Sequence, residues 1–471
     1  MKQSRFYLVG CALVAALGGL LFGFDTAVIS GTTDWLKGGF VSEITRQIMP
    51  VVPTSWQSWV SEAEVLNFML GFTVATALIG TVIGSLAIGR PADSIGRRGA
   101  LVILAVFYVI TAVGCGLAWN WWSFAIFRFL GGLAVGGASV VSPMYIAEIS
   151  PARMRGRLVA ITQLNVVSGI LLAYLSNYTI GYLAGGTLHD VHYRWMFGVM
   201  AFPAIAFFLL LFLTPQSPRW LVGRGLLDEA KRVLLACGTD DGDIDDEIKA
   251  IRASLDVEHH RSNERFFCRK YSRPIMLAVA IAAFNQLSGI NAVIYYTPHI
   301  FKMAGAKTDS ALLQSVLIGV MMLVFTFFAM VVIDHFGRRR LMLLGSIGYL
   351  LSLGTVTACF YAGGTIGGKW LLLGSLLVYM AAHGFGQGAV IWVFISEIFP
   401  NRVRARGQAL GSFTHWIMAA AVSWTFPMVA PWVAFAFYTG CMFLQLLWVQ
   451  FIMPETKGVS LEEIQHRLKI E

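Results

Sequence analysis

The chain has 471 residues, of which 57% are hydrophobic and only 13% are charged, whereas a soluble globular protein carries about 25% charged residues. This composition excludes an ordinary soluble domain. The formal net charge of +9 does not indicate nucleic-acid binding, because no basic face is interleaved with exposed aromatic residues.

The sequence gives no sign of a catalytic or metal centre. Its six cysteines show no spacing typical of metal ligands, so we expect neither a metal site nor a cofactor. It also lacks the HExxH motif of zinc hydrolases and the GxSxG motif of serine hydrolases, and we therefore do not expect an enzyme.

The apolar residues form long uninterrupted runs, such as Leu101 to Trp119, which contains no charged residue. Runs of about 18 or more apolar residues are typical of membrane-spanning helices. The first run, Phe6 to Gly23, is longer than the ~7–15 residues of a signal-peptide core and is interpreted as a span. Twelve spans are predicted, over residues 6–31, 65–89, 99–119, 121–147, 158–182, 195–214, 274–301, 310–333, 341–362, 371–396, 408–430 and 432–453.

Basic residues are distributed unevenly between the loops. Arginines cluster between spans two and three, four and five, eight and nine, and ten and eleven, whereas the predicted loop 32–64 contains only Lys37 and Arg46 as basic residues. Cytoplasmic loops of membrane proteins carry an excess of lysine and arginine. The arginine-rich loops and both termini are therefore predicted to be cytoplasmic.

The segment 215–273 is rich in charge and is not a span. The spacing of its apolar residues, as in Leu226 to Cys237, predicts a few short cytoplasmic helices. A disordered linker is the alternative, since Asp240 to Glu247 is dense in acid. The last residues, 454–471, are predicted to form a cytoplasmic tail.

Three motifs occur twice in the same order, the second copies roughly 240 residues after the first. The pairs are Asp93-Ser-Ile-Gly-Arg-Arg98 with Asp334-His-Phe-Gly-Arg-Arg339, Glu148-Ile-Ser-Pro-Ala-Arg-Met-Arg155 with Glu397-Ile-Phe-Pro-Asn-Arg-Val-Arg404, and, more weakly, Pro215-Gln-Ser-Pro218 with Pro454-Glu-Thr-Lys457. They divide the chain into two six-span halves of the same orientation, residues 1–214 and 274–453.

Further motifs follow one another from Gly19 to Gly458. They are Gly19-Leu-Leu-Phe-Gly-Phe-Asp-Thr-Ala-Val-Ile-Ser-Gly31, Arg128-Phe-Leu-Gly-Gly132, Pro215-Gln-Ser-Pro-Arg-Trp-Leu221, Gln286-Leu-Ser-Gly-Ile-Asn291 and Pro454-Glu-Thr-Lys-Gly458. Together and in this order they resemble the sugar-porter branch of the major facilitator superfamily, which includes bacterial sugar–proton symporters and animal facilitative glucose transporters.

The resemblance implies an all-α membrane protein with twelve transmembrane helices in two pseudo-symmetric six-helix bundles and a short cytoplasmic helical segment between them. It implies import of a monosaccharide, a hexose or pentose, across an inner or plasma membrane by alternating access. The expected partners are the sugar, a proton and membrane lipid, and the protein is expected to function as a monomer.

Asp25 and Arg128 are charges inside apolar spans, where a charged residue is expensive and usually functional. Span one ends and span four begins on the outer side, and at roughly 1.5 Å per helical residue each charge lies about 10 Å deep from that side, so the two can pair. The prediction is a proton switch in which Asp25 takes up a proton when the pair opens. The resemblance supports it, because the proton-coupled members carry an acid at this position. A purely structural ion pair is the alternative.

A sugar site needs uncharged groups that bond hydroxyls. Buried amides are candidates, because an unpaired amide inside a membrane is costly. They are Gln163 in span five and Asn285, Gln286 and Asn291 in span seven. The resemblance implies that these positions match sugar contacts. Amides that only pack helices are the alternative.

Aromatic surface for the C–H face of a sugar is expected from Trp392 in span ten and Trp416 in span eleven. The resemblance implies that Trp392 and the position of His415 match sugar contacts. A histidine there can bond a sugar or titrate near neutral pH.

The repeated arginine and glutamate motifs are interpreted as a conformational lock, with a role only in setting topology as the alternative. The lock residues are Arg97, Arg98, Glu148, Arg338, Arg339, Glu397 and Arg404.

Several positions depart from the family pattern. Asn285 stands in place of a glutamine, Met322 in place of an asparagine, His415 in place of an amide and Gln216 in place of a glutamate. The stretch from Gly386 to Trp392 lacks the usual prolines, so span ten is expected to flex differently. These changes leave the identity of the sugar open.

The sequence thus predicts a secondary active sugar transporter with proton symport. A facilitative uniporter for a sugar or polyol, without proton coupling, is the first alternative. A non-transporting sugar sensor of the same fold is the second, and the short tail after the last span argues against it.

Overall fold

The structure is a computed structural model that describes residues 2–51, 53, 55, 60–185, 188–238, 244–261, 265–363, 368–400, 403–459, 461–468 and 470. The regular elements in these residues are all helical. The helices of the first half are α1 (Lys2–Val28), α2 (Glu62–Ala87), α3 (Gly96–Leu117), α4 (Trp121–Ile149), α5 (Ala152–Leu183), α6a (Asp190–Gly198) and α6b (Ala201–Leu211).

The helices of the second half are α7a (Ser272–Leu287), α7b (Ile290–Met303), α8 (Thr308–Phe336), α9 (Arg338–Tyr361), α10a (Gly368–Phe385), α10b (Gln387–Ile398), α11 (Arg404–Thr425) and α12 (Pro431–Phe451). Within the described residues, eleven segments are long and apolar enough to cross a membrane. The twelfth predicted span is α11, which is 22 residues long.

Two of the helices begin with reciprocal caps that the sequence encodes locally. Ser61 accepts a bond from the backbone N–H of Glu64 at 3.3 Å, and the Glu64 carboxylate accepts from the backbone N–H of Ser61 at 2.7 Å. Asn120 and Ser123 form the same arrangement before α4. Such caps satisfy backbone donors that have no partner within the helix, and so determine where α2 and α4 begin.

Each half forms a bundle of helices, and the two bundles meet along two pairs of helices, α5 with α8 and α2 with α11. Glycine permits the close approach: a Cβ on Gly319 of α8 would lie 3.1 Å from the Cα of Leu171 on α5. Successive spans run in opposite directions, so the starts of α3, α5, α9 and α11 share one face. We call it the arginine-rich face, because it carries Arg97, Arg155, Arg338 and Arg404.

The segment between the bundles contains two short helices, Pro218–Gly223 and Leu227–Ala236, and one longer helix of 18 residues, Ile244–Arg261. They bury a small apolar cluster of their own that includes Leu221 and Leu234. The acid-rich stretch from Asp240 to Asp243 lies outside the described residues.

Three features differ from the predicted spans. The segment after α1 was predicted as a loop, but short helical turns continue from Ile29 to Val51 because Leu36, Val41 and Ile44 find buried positions. Spans seven and ten were predicted as continuous helices, but α7 is broken after Leu287 and α10 at Gly386. A hydropathy profile does not show these breaks, because each lies inside a segment that is apolar enough to cross a membrane.

Candidate substrate and coupling site

The break in α7 is made by Gly289, whose φ of 84° lies in the left-handed region. A Cβ at this position would lie 2.5 Å from the ring of Tyr438, so both the conformation and the space require glycine. The break leaves backbone carbonyls without their helical partners. The Tyr379 hydroxyl donates to one of them, the backbone carbonyl of Ser288, at 3.0 Å. The chain can therefore turn inside a span without leaving this carbonyl unsatisfied.

Three of the predicted sugar-binding amides meet at this break. Gln286 donates through Nε2 to Oδ1 of Asn285 at 3.0 Å, and Asn291 donates through Nδ2 to Oε1 of Gln286 at 2.9 Å. All three side chains are buried. Gln286 Nε2 also lies 3.2 Å from a ring nitrogen of His415, which brings α11 to the same cluster. We call these four residues the amide cluster.

Aromatic rings contact the amide cluster through His415. Trp392 of α10b and Trp416 of α11 both contact His415, with ring centroids 5.3 and 4.8 Å apart. Trp416 also makes an edge contact of 5.3 Å with Phe22 of α1. A ring of the first bundle therefore contacts the aromatic rings of the second bundle at this site.

Gln163 is the one predicted sugar contact that these interactions do not include. It lies half-buried on α5 of the first bundle, and no hydrogen bond between described residues connects it to the amide cluster. Its role in the site stays a prediction.

Asp25 and Arg128 form a salt bridge inside the first bundle, with Nη1 2.7 Å from Oδ1. Both side chains are buried, and Arg128 is fully inaccessible to solvent. The guanidinium makes a single contact with the carboxylate, and its Nε and Nη2 have no hydrogen-bond partner among the described residues. Tyr295 of α7b is near enough to interact electrostatically with both charges, so the second bundle approaches the ion pair.

The repeated motifs form equivalent ion pairs in the two bundles. Arg97 at the start of α3 contacts Glu148 at the end of α4, with Nε 3.0 Å from the carboxylate. Arg338 at the start of α9 contacts Glu397 at the end of α10b at 2.8 Å. Each pair lies within one bundle, so in this conformation these charges hold the helix ends of that bundle together.

The second arginine of each motif caps another helix end. Arg98 donates to the carbonyl of Leu211, at the end of α6b, at 3.0 Å. Arg339 donates to the carbonyl of Val449, near the end of α12, at 3.1 Å. Positive charge at the carboxyl end of a helix also complements the helix dipole.

The third repeated motif, at Pro215 and Pro454, also makes equivalent contacts in the two bundles. Ser217 donates to Glu148, and Thr456 donates to Glu397 at 2.6 Å. Arg404, the remaining residue predicted for the lock, is half-buried at the start of α11, and its Nε has no hydrogen-bond partner among the described residues.

The replacement of glutamate by Gln216 makes the two bundles unequal. Glu455 accepts bonds from the backbone N–H groups of Arg338 and Arg339 at 3.0 and 3.1 Å. Gln216 instead donates to the carbonyl of Ile95 at 3.2 Å. The first bundle thus has an uncharged amide where the second has a carboxylate at a helix start.

Contacts between the bundles on the face opposite the arginines were missed by sequence reasoning. Asp34 of the first half accepts from Lys302 at 2.7 Å and lies 3.1 Å from Nδ1 of His299. Tyr174 of α5 donates to the carbonyl of Ile294 at 2.9 Å. Pro298 cannot bond that carbonyl, which is why it is free to accept, and this proline was the available sequence signal.

Buried glutamines were also missed, among them Gln387 and Gln445. They satisfy the criterion that selected the other amides, since both lie within apolar runs. Their bonds join the amide cluster to α12 and α9, as described below.

Two helical bundles that meet around broken helices, with polar groups inside the spans, define a polytopic membrane transporter. The model of the family described as "Sugar (and other) transporter" matches residues 11–468, and the chain belongs to this family. It is a sugar porter of the major facilitator superfamily.

Relatives match over nearly their whole length. The chain is 38% identical to the D-xylose-proton symporter of Escherichia coli, over 98% of this chain and 96% of the relative. It is 33% identical to the glucose transport protein of Synechocystis, over 96% of this chain and 95% of the relative. The partially occluded inward-open structure of the xylose transporter XylE from E. coli superposes with a TM-score of 0.82 at 35% identity, covering 96% of this chain and 99% of that one.

Proposed function

We propose that this protein imports a monosaccharide, a pentose or hexose, together with a proton, by alternating access. The observation that carries the proposal is the amide cluster at the break of α7, whose His415 contacts two tryptophans. The same chain buries an ion pair, Asp25 with Arg128, that makes a single contact. The relatives named as xylose–proton and glucose transporters support the same substrate class.

The amide cluster suits a neutral polyhydroxyl ligand. It presents amide and imidazole groups, which both donate and accept hydrogen bonds and so match hydroxyl groups. Trp392 and Trp416 add the flat apolar surface that fits the C–H face of a sugar ring. The cluster contains no carboxylate or ammonium group, so an ionic substrate would lose its charge partners there.

The ion pair suits a proton switch better than a structural role. A buried pair that only stabilises the fold is expected to be bidentate, with its remaining donors satisfied, because desolvation is otherwise not offset. Here one nitrogen of Arg128 contacts one oxygen of Asp25, and two guanidinium nitrogens have no bonded partner in the described chain. A carboxyl released from this contact is in a site that favours its protonated form.

We further propose that the arginine-rich face is cytoplasmic and that the conformation described is open towards it. Asp34 with Lys302, and Tyr174 with Ile294, join the two bundles on the opposite face. Support for the direction comes from the charge asymmetry of the loops.

Uptake of labelled sugars into proteoliposomes tests the proposal. The panel is D-xylose, L-arabinose, D-glucose, D-galactose and a polyol, each with and without an imposed pH gradient, and empty liposomes are the control. Accumulation of at least one sugar above its external concentration, only with the gradient, is the expected result. Equal uptake with and without the gradient would identify a facilitative uniporter. The sensor alternative requires binding without uptake, and absence of both would contradict the substrate class.

The contact between Asp34 and Lys302 yields a prediction about the conformational balance. Lys302→Ala should raise the ratio of outward-open to inward-open molecules up to about fivefold, because a partly exposed ion pair is worth about 0–1 kcal/mol. Pulsed electron spin resonance between labels at Leu117 and Tyr361, exposed residues of different bundles on that face, measures the two populations. Lys302→Arg should preserve the balance.

Lys307→Ala is the matched control for this measurement. Lys307 is exposed on the same face, just before α8, and does not belong to the pair with Asp34. If Lys302→Ala and Lys307→Ala give the same distance distribution as the wild-type protein, the pair does not contribute to closure.

A further inference from the structure

A line of buried hydrogen bonds leads from the amide cluster to the far side of the second bundle. Asn285 donates through Nδ2 to Oε1 of Gln387 at 3.4 Å. Gln387 donates through Nε2 to Oε1 of Gln445. Gln445 donates to the hydroxyl of Ser346 at 2.7 Å, and that hydroxyl donates to the carbonyl of Met342 at 2.7 Å. These four side chains, which we call the amide chain, belong to α7a, α10b, α12 and α9.

The last acceptor determines the direction of every bond in the amide chain. A backbone carbonyl can only accept, so the Ser346 hydroxyl must donate to Met342 and has its lone pairs free to accept. Gln445 must then turn its NH₂ group to Ser346 and its oxygen to Gln387. Gln387 must likewise turn its NH₂ group to Gln445 and its oxygen to Asn285. Flipping any one amide would place two donors or two acceptors against each other.

The same direction continues into the amide cluster. With its Nδ2 engaged by Gln387, Asn285 directs its oxygen to Gln286, which donates to it at 3.0 Å. Gln286 then directs its own oxygen to Asn291, which donates at 2.9 Å. Oδ1 of Asn291 is then the amide oxygen of the cluster that these bonds do not use, so it is available to accept a bond from a ligand.

The position of Gln387 depends on the break in α10. Gly386 has φ −96° and ψ −92°, which is not helical, and Gln387 is the first residue of α10b. A Cβ on Gly345 of α9 would lie 3.1 Å from the Cα of Gly386, so the two helices approach closely at this point. The amide of Gln387, which is 1% exposed, is thereby held between α7a and α12.

We propose that Gln387 is a positioning residue that sets the donor and acceptor direction of the sugar site. Through it, the carbonyl of Met342 forces the amide cluster to present an acceptor at Asn291, which selects a ligand hydroxyl that donates. This inference rests on the proposed function and adds the hydrogen-bond polarity of the site to it. Gln387 does not itself contact the ligand in this arrangement.

Monodeoxyfluoro sugars test this hydrogen-bond direction, because a fluorine atom accepts hydrogen bonds weakly and cannot donate one. The measurement is inhibition of labelled D-xylose and D-glucose uptake in proteoliposomes by the parent sugar and by its monodeoxyfluoro analogues. In the wild-type protein, the analogue with fluorine at the hydroxyl facing Asn291 should inhibit about tenfold more weakly than the parent.

Ser346→Ala tests the amide chain at its far end. It removes the hydroxyl that connects Gln445 to Met342, so the amides can reverse and the discrimination against that analogue should fall about three- to tenfold. Ser346→Thr keeps the hydroxyl and should retain the wild-type ratio. Ser352→Ala is the matched control, because Ser352 is equally buried on α9 and donates to Tyr349 outside the amide chain.

A loss of folded protein lowers the maximal uptake but does not change a ratio of inhibition constants. If Ser346→Ala does not fold, Gln387→Leu with Gln445→Leu removes both central amides at similar volume and should lose the discrimination in the same way. Unchanged ratios in Ser346→Ala, or in that double variant, would overturn the proposal. Failure of the wild-type protein to take up or bind any sugar is a different result, which would overturn the proposed function.

Discussion

Asp25→Asn is expected to abolish accumulation of sugar against its gradient while leaving sugar exchange across the membrane intact. Asparagine can still accept a bond from Arg128, so the contact survives, but it cannot carry a proton. A gradient of one pH unit is worth about 1.4 kcal/mol and supports about tenfold accumulation in one-to-one symport. In the variant this ratio should fall to about one.

Proteoliposomes that carry an imposed pH gradient and labelled sugar measure this ratio, and counterflow with internal sugar measures exchange. Asp309→Asn is the control, since Asp309 is an exposed acid at the start of α8. Persistence of tenfold accumulation in Asp25→Asn would refute the role of Asp25 in coupling. Loss of exchange together with accumulation would indicate that the residue is structural.

Asp25→Leu is expected to destabilise the protein by about 3–5 kcal/mol, because it leaves a buried guanidinium without its carboxylate. Arginine cannot relieve the cost by losing its proton. Adding Arg128→Met should recover most of the lost stability, since two apolar side chains then replace the two charges. Thermal unfolding of the purified variants in detergent measures both changes.

The double variant also distinguishes the two roles considered for the ion pair. Recovery of stability without recovery of uphill transport is expected if the pair serves coupling. Lys249→Met is the control for charge removal, because Lys249 pairs with Asp246 at the surface, where ion pairs contribute little. A double variant that remains as unstable as Asp25→Leu would show that the carboxylate stabilises the protein through partners other than Arg128.

Much of the architecture is predictable from the sequence because the membrane imposes it. A span must be long and apolar, and its backbone must bond internally, so hydropathy alone identifies helices such as α3 and α8. The breaks at Gly289 and Gly386 were not predicted. A broken helix is tolerated only where other groups replace its lost bonds, as Tyr379 does at Ser288, and those groups come from distant parts of the chain.

The candidate site was predicted in part, for a related reason. Polar residues in an apolar run are conspicuous because they are costly there, and this led to Asp25, Arg128 and the span-seven amides. Gln387 met the same criterion, but the missing prolines were the more conspicuous feature of its stretch, and the amide was not selected. Gln163 met it too, but the described hydrogen bonds do not connect it to the amide cluster.

The order of residues along the chain therefore determined the number of spans and the two repeated halves. It also identified the polar side chains inside spans, whose burial is costly enough to indicate a role. The tertiary structure decided which of those side chains meet. Asp34 and Lys302, or Asn285 and Gln387, lie in different helices, and contact between them depends on how each helix is rotated and where it bends. Hydropathy records that a group is buried, but the direction of a hydrogen bond exists only once both partners have been placed.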